Sequence, residues 1–577
     1  MTTTGRIIRR SLLAGIEMFP AAMHPILKRV YAARGIATEE MLELGLEKLI
    51  PVRQLGGLEG AVELLISHYR RRSRIVIVGD FDADGATSTA LVVRQLQRLG
   101  FPDVHFIVPN RFEYGYGLTP EIVRFAALRG PHLIVTVDNG IASHGGVDEA
   151  RRHHIDTLIT DHHLPPATLP AADAIVNPNV VTDSFPSKCL AGVGVAFYLM
   201  AALTREMQQR ALCVNPPNVA ELLDLVALGT VADLVPLDQN NRILVHQGLK
   251  RIRSGRCVPG IRALLEIGGK NVAGSVAADL GFQVGPRLNA AGRLDDMSIG
   301  IQCLLADDLA AARVIAGRLT QLNQDRRELE QRMQQEALEA VAVLNAADRN
   351  LPLGVCLFEE SWHQGVVGLV ASRVKDRVHR PVIALARADE RLLKGSARSV
   401  SGVHIRDVLD AVASRTPGLI EKFGGHAMAA GLTLAADRLE EFRTAFDQEV
   451  GRWMSLDDAH GILHSDGELA AEDFSMDIAR LLRDSGPWGQ AFPEPIFDGT
   501  FGVVESRVVG ERHLKLRLRI DAAMPPCEAI AFRHFDHDDA TQVKAQDRIA
   551  AAFRLDLNEY QNLERLQLVV EHLEVVE

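Results

Sequence analysis

Short apolar runs alternate with amphipathic stretches from about residue 75 onward. The runs are rich in β-branched residues, and each is followed by apolar positions at helical spacing; they are RIVIVGD, VHFIVPN, HLIVTVDNG, TLITDHH and AIVNP. Strands buried on both faces read as continuous apolar runs, and the helices that connect them cover a parallel sheet. The pattern therefore predicts an α/β domain built on a parallel sheet.

The rhythm changes near residue 306, where apolar and charged residues alternate at helical spacing without a proline. This stretch predicts one or two long connecting helices. LPLGVCLF, PVIALA and GLTLA then indicate a second α/β unit, and the short strands near the C-terminus predict a small, OB-like β-barrel. The predicted division is an N-terminal extension that is helical in part, a catalytic domain, a connector, the second unit and the barrel, at 1–50, 51–305, 306–346, 347–455 and 456–577.

The composition limits the cellular compartments and the partners expected for the protein. The six cysteines form no CxxC pair, which argues against a thiolate metal site and fits a reducing cytosol. No apolar run reaches the roughly 18 residues that cross a bilayer, and Glu17 interrupts the apolar stretch near the N-terminus. We expect a cytoplasmic protein without a membrane partner. The net charge of −11 requires any nucleic-acid partner to bind a local basic groove.

Acidic residues and histidines gather at the ends of the predicted strands. They are Asp80, Asp82 and Asp84 in GDFDADG, Asp138 in VDNG, and Asp161, His162 and His163 in TDHH, with Asp233 further on in VADLVPL. Ligands of open parallel sheets bind at the carboxyl ends of the strands. Grouped carboxylates require a counter-charge, and oxygen with imidazole ligands suits Mn²⁺ or Mg²⁺. The set predicts a two-metal hydrolytic site.

Each motif also has a structural interpretation. DFDADG by itself fits a solvated acidic turn with a helix-capping aspartate, DNG fits an ordinary turn, and Asp233 alone fits a cap residue. Two adjacent histidines after an aspartate are less ordinary, because neighbouring side chains point in different directions. One can bind metal while the other faces substrate. The combination of motifs favours the metal site over the structural alternative.

The series DFDADG, TVDNG, DHH and GTVADLVPL resembles the DHH phosphoesterase superfamily. The long helix, the second unit and the chain length resemble its bacterial RecJ branch of single-strand-specific 5′→3′ exonucleases. The resemblance implies two Mn²⁺ or Mg²⁺ ions with Asp138 as the bridging ligand. It implies Asp82 as the partner of Asp138 at one ion, and at the other Asp84, His162 and Asp233. His163 is expected to contact the scissile phosphate, Asp161 to orient the histidines, and Asp80 to take part as a further ligand.

The resemblance also implies a nucleic-acid path. Its residues are Asn110 and Arg111; Arg287, Asn289 and Arg293; and, in the second unit, Arg373, Ser396, Arg398, Gly424, Gly425 and His426. Arginine matches phosphate geometry and glycine admits a close backbone approach. The alternative is a set of ordinary loops, glycine turns and surface arginines. GVGVAF fails as a dinucleotide fingerprint, because Phe197 stands at the third glycine position.

The resemblance therefore implies a metal-dependent exonuclease that releases 5′ mononucleotides from single-stranded DNA in recombination and repair. A single-strand-binding protein and a DNA helicase are the implied partners. Two alternatives stay open: a DHH phosphatase or phosphodiesterase acting on short oligonucleotides or cyclic dinucleotides, and a non-catalytic scaffold that binds single strands. The complete set of candidate ligands weighs against the scaffold, and the extra C-terminal residues weigh against the phosphatase.

Overall fold

The structure, a computed structural model, describes residues 6–108, 117–348, 351–455, 462–536, 541–560 and 563–576. The chain forms two compact units. One contains Ile7–Asn323 and His464–Glu577, and the other is formed mainly by Gln324–Leu463. The limits predicted above for five domains are a finer division, and they remain a proposal.

The N-terminal segment contributes little regular structure. Its elements are β1 (Arg6–Arg9), α1 (Pro25–Ala32) and short 3₁₀ helices at Ile16–Met18, Glu39–Leu42 and Leu46–Lys48, and α2 (Leu58–Arg70) follows the segment. Helix α1 begins with a proline at its first position and is capped by His24, whose ring accepts from the Ile26 N–H at 3.3 Å. The segment is thus helical in part, as the sequence indicated.

A five-stranded, wholly parallel sheet forms the centre of the first unit. Its strands are β2 (Arg74–Gly79), β3 (Asp103–Ile107), β4 (Leu133–Val137), β5 (Asp156–Thr160) and β6 (Ala174–Val176). They lie in the order β3-β2-β4-β5-β6 with every neighbouring pair parallel. The predicted parallel sheet is confirmed. Because β3 and β4 flank β2 on opposite sides, the chain reverses its direction of travel there, and the crevice between β2 and β4 is the expected ligand site.

Helices cover both faces of this sheet, which explains the continuous apolar runs. They are α3 (Ala83–Arg98), α4 (Pro120–Ala127), α5 (His144–Arg152) and α6 (Gly192–Gln209). Outside this layer, α7 (Leu223–Ala232) packs against α3 and α6, α8 (Gln239–Arg253) packs against α7, and α9 (Pro259–Ile267) follows. Val76 and Val78 of β2 pack with residues of α4 and α5. Ile75 and Ile77 belong instead to the large core that contains α3, α6 and α7.

Further helices lead out of this domain. They are α10 (Ala277–Asp279), α11 (Gly285–Leu294), α12 (Ser298–Leu305) and α13 (Leu309–Asp348), with a π turn at Leu280–Val284 between α10 and α11. Helix α13 is one continuous helix of 40 residues, which is the simpler of the two predicted forms of the connector.

The second unit contains a mixed sheet. Its elements are β7 (Val355–Phe358), α14 (Val367–Val378), β8 (Val382–Arg387), β9 (Leu392–Arg398), α15 (Ile405–Arg415), β10 (Lys422–Gly425), β11 (Ala429–Ala435) and α16 (Leu439–Val450). The strand order is β10-β11-β9-β8-β7, and only the β7–β8 pair is parallel. A separate core joins the sheet to α15 and α16.

The C-terminal part forms the predicted β-barrel. After β12 (Ile462–Ser465) and α17 (Met476–Asp484), the barrel strands are β13 (Phe497–Val509), β14 (His513–Arg519), β15 (Cys527–Ala531), β16 (Arg548–Tyr560) and β17 (Leu563–Val576). They close in the order β13-β14-β15-β17-β16. Helix α17 was not predicted, because strand signals dominate the sequence around it.

The N-terminal segment is anchored to the chain that leads into the barrel. Arg34 lies buried against Asp466, with Nη1 donating to Oδ1 at 2.7 Å and Nη2 to Oδ2 at 3.0 Å. Tyr31 donates to the Ser485 carbonyl at 2.8 Å, and its ring stacks on Phe492 and lies tilted against Trp488. A segment in which the sequence showed no motif thus joins two distant parts of one unit. Among the described helices, none is both long and apolar enough to cross a bilayer.

We predict that Arg34→Met lowers the free energy of unfolding by about 3 kcal/mol, because it removes the two close donors of the buried Asp466 carboxylate and leaves Arg10, at 4.0 Å, as its nearest cation among the described residues. Urea denaturation followed by tryptophan fluorescence measures the effect. Arg480→Met serves as the control, since Arg480 pairs with Glu564 at the exposed surface and its loss changes stability little. Equal midpoints for the two variants would contradict the proposed anchor.

Candidate metal centre

Four chain segments converge at the carboxyl edge of the parallel sheet. The loops after β2, β4 and β5 carry Asp80–Asp84, Asp138 and Asp161–His163, and the C-terminal end of α7 carries Asp233. The loops after β2 and β4 lie at the reversal point of the sheet. Sequence reasoning placed three of these segments by strand ends alone, and the structure brings all four together.

The DFDADG loop is shaped by backbone donors. Asp82 caps α3, with Oδ1 accepting from the Asp84 N–H at 2.9 Å and from the Gly85 N–H at 3.0 Å. The capping alternative is therefore correct for this residue, and it is compatible with metal binding because a carboxylate offers two oxygens. A Cβ at Gly85 would lie 2.6 Å from the Asp80 carbonyl oxygen, so only glycine permits this turn.

Asp84 is fully buried and is held by the start of α6. Its Oδ2 accepts from the Gly192 N–H at 2.6 Å and its Oδ1 from the Val193 N–H at 2.9 Å. The first N–H groups of a helix lack partners inside the helix, and the positive end of the helix dipole favours a carboxylate. The α6 start thus fixes both oxygens, each of which retains a second lone pair for an ion.

Asp138 is buried at the centre of the group in a left-handed backbone conformation, with φ at 63°. Its N–H donates to the Thr160 carbonyl at 3.0 Å, which ties the end of β4 to the end of β5. Gly192 packs directly on it, and a Cβ there would lie 2.6 Å from both Cβ and Oδ1 of Asp138. Unusual backbone at a functional position is a common feature of binding sites.

Asp161 organises the histidine pair. Its Oδ1 accepts from the His162 N–H at 2.7 Å and from the His163 N–H at 3.0 Å, and lies 2.7 Å from His163 Nδ1. Its Oδ2 accepts from the Ile141 N–H at 2.9 Å. Burial acts to raise the pKa of Asp161, but the hydrogen bond and charge of His163 outweigh it and the pKa is lowered. Asp161 thus contacts the backbone of both histidines and the ring of His163, and its role in orienting them remains a prediction.

His162 lies between two of the acids. Its Nε2 is 3.1 Å from Asp138 Oδ1 and 3.5 Å from Asp233 Oδ2. The rings of His162 and His163 have centroids 4.4 Å apart and planes tilted by 57°, so the two imidazoles face different directions.

Three overlapping groups have ligand atoms within 4.8 Å of one another: Asp80 with Asp82 and Asp138, Asp84 with His162 and Asp233, and Asp138 with His162 and His163. The first two groups fit the pair of ion sites implied by the resemblance, with Asp138 placed close to both.

The clustered carboxylates destabilise one another's negative charge, which favours the binding of cations. Burial, followed by the Asp82 charge, raises the pKa of Asp84 to about 7. Burial and the charges of neighbouring acids also raise the pKa values of Asp138 and Asp233 well above the ordinary aspartate value. Carboxylates in this state gain from divalent cations, and an oxygen-rich set with one or two imidazoles fits Mn²⁺ or Mg²⁺.

An Asn-Pro-Asn turn after β6 is a part of the site that sequence reasoning missed. The Nδ2 of Asn177 donates to the His163 carbonyl at 2.9 Å, and the Nδ2 of Asn179 donates to the His162 carbonyl at 2.6 Å. Asn177 also accepts from the Asn179 N–H at 2.7 Å. Both histidine carbonyls are thereby fixed by one turn. Its only sequence signal was the position of NPN after an apolar run, which also fits an ordinary turn.

Some predicted nucleic-acid residues have structural contacts in the first unit. Asn289 accepts from the Ala83 N–H at 2.8 Å, so it anchors the start of α3. Arg287 is buried and donates to Thr320 Oγ1 and the Gln283 carbonyl. Arg293 is partly exposed at the end of α11. Asn110 and Arg111 lie outside the described residues. The nucleic-acid role of these residues remains a prediction.

The second unit places Ser396 and Arg398 side by side on β9. Arg398 Nη1 donates to Ser396 Oγ at 2.9 Å, and a Cβ at Gly368, in the first turn of α14, would lie 2.9 Å from Ser396 Oγ. A serine, an arginine and a helix N-terminus together favour an anion. The neighbouring candidate Arg373 donates to Glu330 of α13 at 3.1 Å.

The predicted glycines differ from each other. A Cβ at Gly424 would meet open space, whereas one at Gly425, with φ at 149°, would lie 2.4 Å from the Ala429 carbonyl oxygen. Gly425 is thus required by the turn itself, and Gly424 keeps the surface open. The exposed His426 donates its N–H to the Ala429 carbonyl at 2.8 Å.

Family models match three parts of the chain. The DHH family N-terminal domain matches residues 74–230, the DHHA1 domain matches 350–452, and the RecJ OB domain matches 465–572. The single-stranded-DNA-specific exonuclease RecJ of Dickeya dadantii is 53% identical over 573 residues, which cover 98% of each chain. The chain belongs to the RecJ family. The RecJ of Escherichia coli is 51% identical over 571 residues, again covering 98% of each chain.

Solved RecJ structures agree with this assignment. RecJ from Thermus thermophilus in complex with Mn²⁺ is 30% identical, with a TM-score of 0.81 over 100% of this chain and 80% of that chain. Its complex with Mg²⁺ gives a TM-score of 0.76 at 29% identity, covering 100% and 79%. The RecJ fold explains the order of parallel-sheet domain, long helix, second α/β unit and barrel found here.

We predict that Gly192→Ala lowers nuclease activity at least about a hundredfold, because the new methyl group displaces Asp138 and tilts the donors that hold Asp84. The control is Gly194→Ala in the same helix, where the Cβ would lie 3.1 Å from a movable methyl of Leu190. The two variants are compared by their rates of cleavage of a single-stranded DNA substrate in the presence of Mn²⁺. Equal activity of the two variants would contradict the role given to Gly192.

We predict that Asn179→Ala weakens Mn²⁺ binding by about 10- to 100-fold, since it releases the His162 carbonyl. Calorimetric titration of Mn²⁺ into the protein measures this independently of catalysis. Asn271→Ala is the control, because Asn271 caps an exposed turn elsewhere in the same unit. An unchanged Mn²⁺ affinity would limit Asn179 to a general structural role.

Proposed function

We propose that this protein is a metal-dependent exonuclease specific for single-stranded DNA, which degrades from the 5′ end and releases 5′ mononucleotides. The observation that carries the proposal is the convergence of three overlapping acid and histidine groups with ligand atoms within 4.8 Å. RecJ relatives named as single-stranded-DNA-specific exonucleases, and RecJ structures in complex with Mn²⁺ or Mg²⁺, support it.

We assign two ions to the site. Asp80, Asp82 and Asp138 would hold one, and Asp84, His162 and Asp233 would hold the other, with Asp138 shared. Two bound ions supply an activated water at neutral pH and neutralise charge on the phosphoryl oxygens. Among the protein groups, the α6 N-terminus holds Asp84 and the Asn-Pro-Asn turn holds the histidine backbone. This rigidity fixes the ligands before substrate arrives.

His163 is proposed to contact the scissile phosphate. Burial acts to lower its pKa, but the hydrogen bond and charge of Asp161, followed by the charges of Asp80 and Asp82, raise the pKa above its usual value. A protonated imidazole held at Nδ1 by Asp161 presents its other nitrogen as a donor. Such a donor stabilises negative charge as it develops on the phosphoryl group.

The 5′ polarity is proposed to come from the second unit. Ser396 and Arg398, beside the first turn of α14, form a group of donors suited to a terminal phosphate. The barrel is proposed to hold the strand further from the cut through backbone charge and stacking. A single-strand-binding protein and a helicase are the proposed partners in recombination and repair, because single strands must be exposed before they are degraded.

We predict that Asp138→Ala lowers the rate on single-stranded DNA more than a thousandfold, or roughly 4 kcal/mol in the barrier. Strands labelled at the 5′ or the 3′ end are compared, and the 5′ label is expected to appear in mononucleotides first. Asp308→Ala is the control, since Asp308 accepts from the Ala310 N–H at the exposed start of α13, away from the candidate ligands. Cleavage confined to dinucleotides would favour the phosphatase alternative, and binding without any cleavage would favour the scaffold.

We predict that Arg398→Gln removes the preference for a 5′ phosphate. The wild type should degrade 5′-phosphorylated strands faster than 5′-hydroxyl strands, whereas the variant should treat the two alike, mainly through a higher KM for the phosphorylated strand. Arg415→Gln, which removes an exposed arginine paired with Glu449 in the same unit, is the control. A variant that retained the full preference would overturn the assignment of this pocket.

A further inference from the structure

We propose that the amino-terminal edge of the parallel sheet, opposite the metal centre, is a second binding surface for the DNA backbone. The surface is formed by arginines at the end of α2, before β4 and before β5. They are Arg70, Arg71, Arg72, Arg129 and Arg151, all exposed. The inference rests on the proposed function in taking single-stranded DNA as the polyanion.

Hydrogen bonds link the starts of three strands at this edge. The Arg74 N–H donates to His132 Nδ1 at 3.1 Å, and the Asp156 N–H donates to the His132 carbonyl at 3.0 Å. Arg74 also binds the Arg129 carbonyl through its guanidinium, and His68 Nε2 lies 3.1 Å from Asp156 Oδ2. The starts of β2, β4 and β5 are thus linked side by side.

The acids of this edge already have partners. Asp103 accepts from Arg74 Nε at 2.7 Å, and Asp156 faces His68. Asp173 accepts from the Thr157 N–H at 2.7 Å. These three carboxylates are therefore committed to other groups.

Unlike these acids, the five exposed arginines have no close partner of opposite charge in the ranges described above. Within the part of the chain that the structure describes, none of them has a carboxylate oxygen within 4.0 Å. Three of them form neutral contacts instead: Arg71 with Ser67 Oγ, Arg129 with the Phe106 carbonyl, and Arg151 with the Ala171 carbonyl. Their positive charge is therefore unpaired at this distance, although Arg70 acts at longer range on Glu63, which itself pairs with Arg210, and Arg129 lies over the Phe125 ring.

The chemistry of the surface fits phosphodiesters. The run HYRRRSR at 68–74 concentrates cations in a chain whose net charge is −11. Basic runs of this length are typical of polyanion-binding patches. One guanidinium group can bind two phosphate oxygens at once. A local positive potential also attracts a polyanion to a protein whose net negative charge otherwise repels it.

The geometry places this surface one strand length from the metal centre. β2 has six residues, from Arg74 to Gly79, which at about 3.3 Å per residue span roughly 20 Å. A long DNA strand bound at the metal centre can therefore also reach this edge, whereas a trinucleotide is too short to contact both the metal centre and the edge. Binding at this edge is expected to strengthen the hold on long strands without altering the chemistry.

The test variant carries Arg70→Gln, Arg71→Gln and Arg72→Gln together. The matched control carries Arg262→Gln, Arg415→Gln and Arg438→Gln, which are exposed arginines that each have a carboxylate oxygen within 3.0 Å. Both variants change the net charge by the same amount. Binding of a 40-nucleotide single strand is measured by fluorescence anisotropy over a range of salt concentrations, without divalent cations so that no cleavage occurs.

We expect the test variant to bind the long strand at least about tenfold more weakly than the control at low salt, with a salt slope smaller by about 2, as three lost phosphate contacts require. A second variant, Arg129→Gln with Arg151→Gln, should reduce the slope by about 1.4. With Mn²⁺ present, cleavage of a trinucleotide should match the wild type in both cases.

If the test and control variants bound the 40-nucleotide strand with the same affinity and the same salt slope, the proposed DNA-binding surface would be wrong. An equally large loss of trinucleotide cleavage would also overturn it, because that loss would locate the effect at the metal centre. Failure of the wild type to cleave any strand would instead overturn the proposed function, which keeps the two results distinguishable.

Discussion

The repulsion among buried carboxylates at one edge of a parallel sheet is the constraint on which the rest of the structure depends. Asp84 and Asp138 are almost fully buried beside Asp80, and no sheet gains stability from such a group by itself. Divalent cations offset the repulsion when they bind. The fold therefore has to hold the acids in place at a cost to its own stability, and this need explains why so many backbone groups point into the site.

Helix starts and short turns meet that need. The N-termini of α3 and α6 both face the acids, through the Asp82 cap and through the N–H groups of Gly192 and Val193. Each brings a partial positive charge and donors that would otherwise lack partners. The Asn-Pro-Asn turn and Asp161 do the same for the histidine backbone and rings. The ligands are thus fixed by main-chain geometry, which tolerates few substitutions at positions such as Gly192.

The patterning of strands and helices predicted the α/β fold, and short strands near the C-terminus predicted the barrel. Most of the candidate ligands were predicted as well, because a parallel sheet brings successive strand ends to one edge regardless of sequence distance. Asp233 ends a helix rather than a strand, so its own sequence context fits a cap residue, and only the other acidic motifs and the family resemblance connect it with the site. Gly192 was considered only as part of a failed dinucleotide fingerprint, since its role depends on packing against Asp138. The buried pairing of Arg34 with Asp466 joins residues more than 400 positions apart, and no local pattern predicts such a contact.

Anomalous diffraction from crystals soaked in Mn²⁺ is the most direct test of the metal centre. Two peaks are expected about 3.5–4 Å apart, both within coordination distance of Asp138, one beside Asp82 and the other beside His162 and Asp233. A single peak, or peaks remote from Asp138, would contradict the proposed two-ion site.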